Sequence, residues 1–167
     1  MDAELNALAA QVGQALKQAG LSLATAESCT GGWVGEALTS VAGSSQWYER
    51  GFITYSNMAK REMLGVKTAI LSRFGAVSEH AARAMAEGAL AASHADVALA
   101  ITGIAGPGGG SMEKPVGTVC FAWAARRAAT AACTRHYHGD RESIRRSAVA
   151  AALEGVLDLL NSRSVKV

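Results

Sequence analysis

Ser28 and Cys29 stand in the run AESCTGG at residues 26–32, after small residues able to form a buried strand and before two glycines that open a predicted helix. A nucleophile-sized side chain at such a junction lies where free backbone N–H groups and the positive end of a helix dipole converge, an arrangement suited to stabilising an oxyanion. Gly31 and Gly32 allow a substrate close to the main chain. The same residues also suit an ordinary strand-to-helix turn with Ser28 or Thr30 as N-cap. A serine that attacks a carbonyl needs a base, and the four histidines are poorly placed to supply one. His80 and His94 fall at or near the ends of a predicted helix, where capping and solvated roles are usual; His136 and His138 share a face of a predicted strand beside Gly139, within reach of a substrate.

Lys60, in YSNMAK at 55–60, is the better candidate, because a neutral lysine can activate a serine. Neutrality is demanding. Each pKa unit corresponds to about 1.4 kcal/mol, whereas a helix terminus contributes only about 0.3–1 kcal/mol. Desolvation and a cationic neighbour must supply the rest, and Arg141 or Arg145, in GDRESIRR at 139–146, is the candidate neighbour. The competing reading places Lys60 on a solvated helix surface. A fourth polar island, TGIAGPGGG at 102–110, lacks the lysine-serine pair of a nucleoside triphosphate loop, although its glycine N–H groups can cradle a phosphate or carboxylate. Cys29 is an alternative nucleophile, since a helix N-terminus also favours thiolate.

Apolar Leu5, Leu8, Val12 and Leu16 predict a first helix over 3–18 that stops at Gly20. A strand over Leu21–Ala26, a helix over 30–41 and β-forming residues over Tyr48–Tyr55 follow, and Ser56 is positioned to cap a short helix carrying Asn57, Lys60 and Leu64. A helix from Ser78 to about Ser93 leads into a strand over 96–102. Val116–Ala125 and Ala129–Tyr137 flank Arg126 and Arg127 and read as an antiparallel hairpin, and a long helix begins near Asp140 and Glu142 and runs to about Leu160. This order predicts an α/β fold, a three-layer α/β/α arrangement whose mixed sheet ends in a late antiparallel hairpin. Three of the four polar islands begin where a predicted strand ends, the edge at which open α/β sheets usually bind ligands.

The 167 residues predict a single domain. Half of them are hydrophobic but only 5% aromatic, so the core must be built from Ala, Val, Leu and Ile. A net charge of +2 disfavours strong nucleic-acid binding, which needs a concentrated basic surface. The acidic start MDAE and the lack of a long apolar run predict a cytoplasmic protein with no membrane association. Three widely spaced cysteines fit reduced thiols and leave no zinc-ligand spacing.

In order, ESCTGG, the run Gly43–Ser45, YSNMAK, GAVSEHAA, TGIAGPGGG, KPVGTV and GDRESIR resemble the CinA C-terminal domain family over about Leu5–Leu160. The resemblance implies an amidohydrolase that converts nicotinamide mononucleotide to nicotinic acid mononucleotide and ammonia in pyridine nucleotide salvage, with no metal or organic cofactor. It implies Ser28 as nucleophile, Lys60 as base, and Tyr55 and Thr102 orienting that pair or the substrate. Backbone groups of Thr30, Gly31 and Gly32 would hold the oxyanion. Asn57 and Gly103 would contact the substrate, and Arg141 and Arg145 its phosphate. SMEKP departs from the threonine-proline-glutamate version of many relatives. The larger members' N-terminal domain, which resembles molybdopterin-binding proteins, has no counterpart here. A noncatalytic nucleotide sensor or a competence- or repair-associated binding protein is the rival expectation, and a homo-oligomer is compatible with either.

Overall fold

The computed structural model describes residues 2–164. Its strands are β1 (Leu23–Glu27), β2 (Tyr48–Ile53), β3 (Val97–Gly103), β4 (Thr118–Ala125) and β5 (Ala131–His136). Its helices are α1 (Ala3–Ala19), α2 (Trp33–Thr39), α3 (Asn57–Leu64), α4 (Thr68–Phe74), α5 (Glu79–Ala91) and α6 (Arg141–Ser164), with a short 3-10 turn over Ser44–Gln46. The strands form one sheet in the order β2-β1-β3-β4-β5. β1 runs parallel to β2 and β3, whereas β3/β4 and β4/β5 are antiparallel. This is the mixed sheet with a late hairpin expected from the sequence.

The central strands alternate in size rather than in polarity, because both faces are covered. Leu23, Val97, Leu99, Ile101, Phe121 and Trp123 project to one face and pack with Val12 and Leu16 of α1, Val34 and Leu38 of α2 and Val149, Leu153 and Val156 of α6. Ala24, Ala26, Ala98, Ala100, Ala122 and Ala124 project to the other, where α5 lays Ala82, Met85, Ala86 and Ala89 against them. The alanine face brings α5 close to the sheet, and Gly88 brings α5 close to α3. A Cβ at Gly88 would overlap the Leu64 carbonyl at the end of α3. Gly88→Ala is therefore expected to destabilise the protein by about 1–3 kcal/mol, read as a lower denaturation midpoint with unchanged denaturant slope.

Several boundaries differ from expectation. β1 extends to Glu27, and the helix expected over 30–41 shrinks to α2, because residues 28–32 form a turn in which Gly31 and Gly32 adopt φ of 59° and 101°. α4 was not anticipated. Its seven residues are too few for a clear period, and its apolar Ile70 and Leu71 are only half-buried against the α5 side of the core. Gly20 and Ser56 act as expected: Gly20 ends α1 in a left-handed conformation, and the Ser56 hydroxyl accepts the Ala59 N–H. Among the described residues, no helix is long and apolar enough to cross a membrane.

Candidate active site

Ser28 is the first residue past β1, and its N–H donates to the Ile101 carbonyl at 3.0 Å, prolonging the β1–β3 pairing by one residue. Lys60 lies in the first turn of α3, on the face turned into the protein. It is 1% exposed. Its Nζ is 3.0 Å from Ser28 Oγ and donates to the Thr54 carbonyl at 2.7 Å. Both partners are neutral oxygens, and among the described residues no ion pair includes Lys60. Burial accordingly pushes the lysine below its ordinary pKa. As placed, Nζ donates to both oxygens; an amine that had lost a proton would keep one N–H on Thr54 and turn its lone pair to the Ser28 hydroxyl.

The solvated-surface reading of Lys60 is thus excluded, and so is the cationic neighbour expected to depress it. Arg145 is engaged elsewhere: Nε and Nη2 donate to the carbonyls of Cys29 and Thr30, each at 3.0 Å, and the guanidinium lies over the Trp33 ring. Arg141, the first residue of α6, donates to the Gly106 carbonyl at 2.8 Å and the Tyr55 hydroxyl at 3.1 Å. It thereby bridges the glycine-rich loop and the segment before α3. Desolvation depresses Lys60 without help from either arginine.

Ser28, Lys60, Tyr55, Asn57, Thr102, Gly103 and Arg141 line one cavity of about 220 Å³, together with Cys29, Ala76, Val77 and Ala105. Thr102 Oγ1 donates to the Ala76 carbonyl at 2.8 Å, so its hydroxyl holds the Ala76–Val77 wall. Thr30, Gly31, Gly32 and Arg145 do not line the cavity. The oxyanion role expected of the turn is also narrowed, because several of its donors already have acceptors. The Gly31 N–H donates to the Ser28 carbonyl, and the Thr30 hydroxyl and Gly32 N–H both donate to the Glu27 carboxylate. Arg145 is thus committed to the turn through Nε and Nη2.

The histidines stay outside the cavity. His80 stacks on Phe74 with ring centroids 3.6 Å apart, and His136 and His138 are exposed, the latter beyond the end of β5. Cys29 lines the cavity, but burial pushes its thiol up to about 12. It is protonated at neutral pH, which argues against the thiolate alternative. Sequence reasoning passed over two contributors. The Thr54 carbonyl left no signal, being main chain. Glu27 did leave one: it is an acid at the end of a strand whose every residue is buried.

The CinA C-terminal domain model matches residues 5–160. The chain is 56% identical over 153 residues to the nicotinamide-nucleotide amidohydrolase PncC of Escherichia coli strain K12, covering 92% of this chain and 93% of that protein. The Shigella flexneri protein of the same name matches with the same identity and coverage. The crystal structure of the competence/damage inducible protein CihA from Agrobacterium tumefaciens superposes with a TM-score of 0.91 at 49% identity, over 96% of this chain and 98% of that one. With the family model spanning residues 5–160 and relatives matching over nearly the whole sequence, this chain belongs to the CinA C-terminal domain family.

Proposed function

We propose that the protein is a nicotinamide-nucleotide amidohydrolase that hydrolyses the carboxamide of nicotinamide mononucleotide to nicotinic acid mononucleotide and ammonia. The observation that carries this reading is the buried Ser28–Lys60 pair, 3.0 Å apart, with no ion pair to the lysine among the described residues. The names of the PncC relatives supply the substrate. Neutral Lys60 takes the Ser28 proton as Oγ bonds to the carboxamide carbon, and the resulting ammonium donates that proton to the departing nitrogen as the C–N bond breaks. Water then attacks the acyl-enzyme, with Lys60 accepting its proton and returning it to Ser28. The chemistry calls for no metal or organic cofactor. A cavity of about 220 Å³ suits the pyridine carboxamide, leaving ribose and phosphate toward the mouth near Tyr55, Asn57 and Arg141. The reaction would serve pyridine nucleotide salvage in the cytoplasm.

Protein treated with a chelator is expected to release ammonia and the acid nucleotide in equal amounts from nicotinamide mononucleotide, at the rate of untreated protein. An unrelated amide serves as the control. Tight nucleotide binding with no ammonia release would replace this reading with that of a sensor.

A further inference from the structure

Glu27 is 2% exposed and ends β1, one residue before the nucleophile. Its Oε1 accepts the Thr30 hydroxyl at 2.7 Å and the N–H groups of Gly32 and Val34 at 3.2 and 2.9 Å, and Oε2 accepts the Gly35 N–H at 3.1 Å. All four partners are donors, the environment of an acceptor-only carboxylate. Gly32, the residue at the N-cap of α2, has no side chain to satisfy these amides. Glu27 does so from the preceding strand. Its main chain serves the other half of the pair: the Glu27 carbonyl accepts the Thr54 N–H at 2.8 Å, and the Thr54 carbonyl accepts Lys60 Nζ.

We propose that Glu27 is the positioning residue of the Ser28–Lys60 pair, its carboxylate folding the 28–32 turn onto the start of α2 and its carbonyl fixing the acceptor that orients the lysine. The proposal deepens the amidohydrolase reading and rests on it for the turnover measurements only. Three consequences follow from the geometry. Serine placement depends on the carboxylate, because the turn that carries Ser28 closes on it. The N-terminal amides of α2 are withdrawn from oxyanion stabilisation. The negative charge also opposes ionisation of Cys29, whose thiol the Arg145 guanidinium pulls the other way.

Glu27→Gln keeps an acceptor at the Oε1 position, which serves three of the four donors, and places an amide NH2 against the Gly35 N–H. Glu27→Ala removes every acceptor. Turnover is expected to fall about tenfold in the glutamine variant and on the order of 10²-fold in the alanine variant, the scale of a misplaced reacting group, with KM within about threefold. Labelling of Ser28 by a fluorophosphonate reagent, which needs no nucleotide, should slow in the same order. The pH at which iodoacetamide begins to modify Cys29 should drop in folded Glu27→Gln, because the opposing charge is gone. Circular dichroism identifies the folded variants, and Glu27→Gln carries the test if Glu27→Ala does not fold. Unchanged labelling and kcat in folded Glu27→Gln would overturn the proposal, as would a rise in KM alone or a loss of activity that tracks the unfolded fraction. Glu27-dependent labelling in a protein that does not turn over nicotinamide mononucleotide would uphold the positioning role and sink the substrate instead.

Discussion

Lys60→Arg is expected to bind nicotinamide mononucleotide nearly as the native protein does and to lose turnover on the order of 10³-fold, within the range for loss of a general base. The guanidinium stays protonated in proteins and cannot accept the Ser28 proton, whatever its position. Single-turnover rate and binding, measured separately, distinguish a base from a simple positive charge. Near-normal single-turnover kinetics in Lys60→Arg would eliminate the neutral-base mechanism. The native enzyme's kcat/KM should rise with pH along a limb set by Lys60, and that limb should lie below the ordinary lysine range, because burial depresses this amine.

The same burial has a consequence for stability. A lysine with a lowered pKa in the folded state is charged more readily when unfolded, so at pH below the folded value its burial carries the full cost of desolvation. Above the unfolded value of about 10.4 it is neutral in both states and the cost is gone. Lys60→Met, which keeps the stem and removes the amine, should therefore be more stable than the native protein at neutral pH. Its advantage should shrink as pH rises from the lowered folded pKa toward the unfolded one. Denaturant unfolding across that window reads the difference directly. An advantage that does not vary with pH would assign it to packing rather than to the charge.

Ser28→Ala should abolish acyl transfer, with turnover down on the order of 10⁴-fold or more, whereas Cys29→Ala should stay within a few-fold of native. The contrast follows from the two side chains' surroundings: Ser28 Oγ lies 3.0 Å from Lys60 Nζ, while the Cys29 thiol is buried and held protonated. Losing one member of a pair that acts as a unit removes nearly all of its contribution, so combining Ser28→Ala with Lys60→Met should cost little more than either alone. The acyl-enzyme, trapped by rapid acid quench and read by mass, should appear on the native protein and be missing from Ser28→Ala. An acyl adduct on Cys29 would reassign the nucleophile.

Much of this was legible in the sequence because it depends on local pattern. The periodic apolar residues of α1, α5 and α6, the Ser56 cap and the small-residue strands mark elements whose burial or capping leaves a trace in residue type. Polar islands likewise pointed to Ser28 and Lys60, and the family resemblance to Tyr55, Asn57, Thr102, Gly103 and Arg141; all seven share one cavity. α4 left little trace, since seven residues with only half-buried Ile70 and Leu71 make too short a stripe to read.

What tertiary structure alone decided is how each polar group is used. Residue type made Arg141 and Arg145 equivalent candidates for phosphate; folding sets Arg145 on the carbonyls of Cys29 and Thr30 and leaves Arg141 at the cavity. The glycine-rich turn read as a set of free donors, but a donor is free only if no acceptor reaches it, and Glu27 reaches from the neighbouring strand. Whether Lys60 is solvated or buried with a lowered pKa is a property of the surrounding packing rather than of the residue. Sequence thus determined the elements and the chemistry available at the sheet edge, because both are written in local residue types. The desolvation of Lys60 and the partners of each donor were decided only where β1, β2, β3 and α3 meet, because burial and hydrogen bonding depend on residues far apart in the chain.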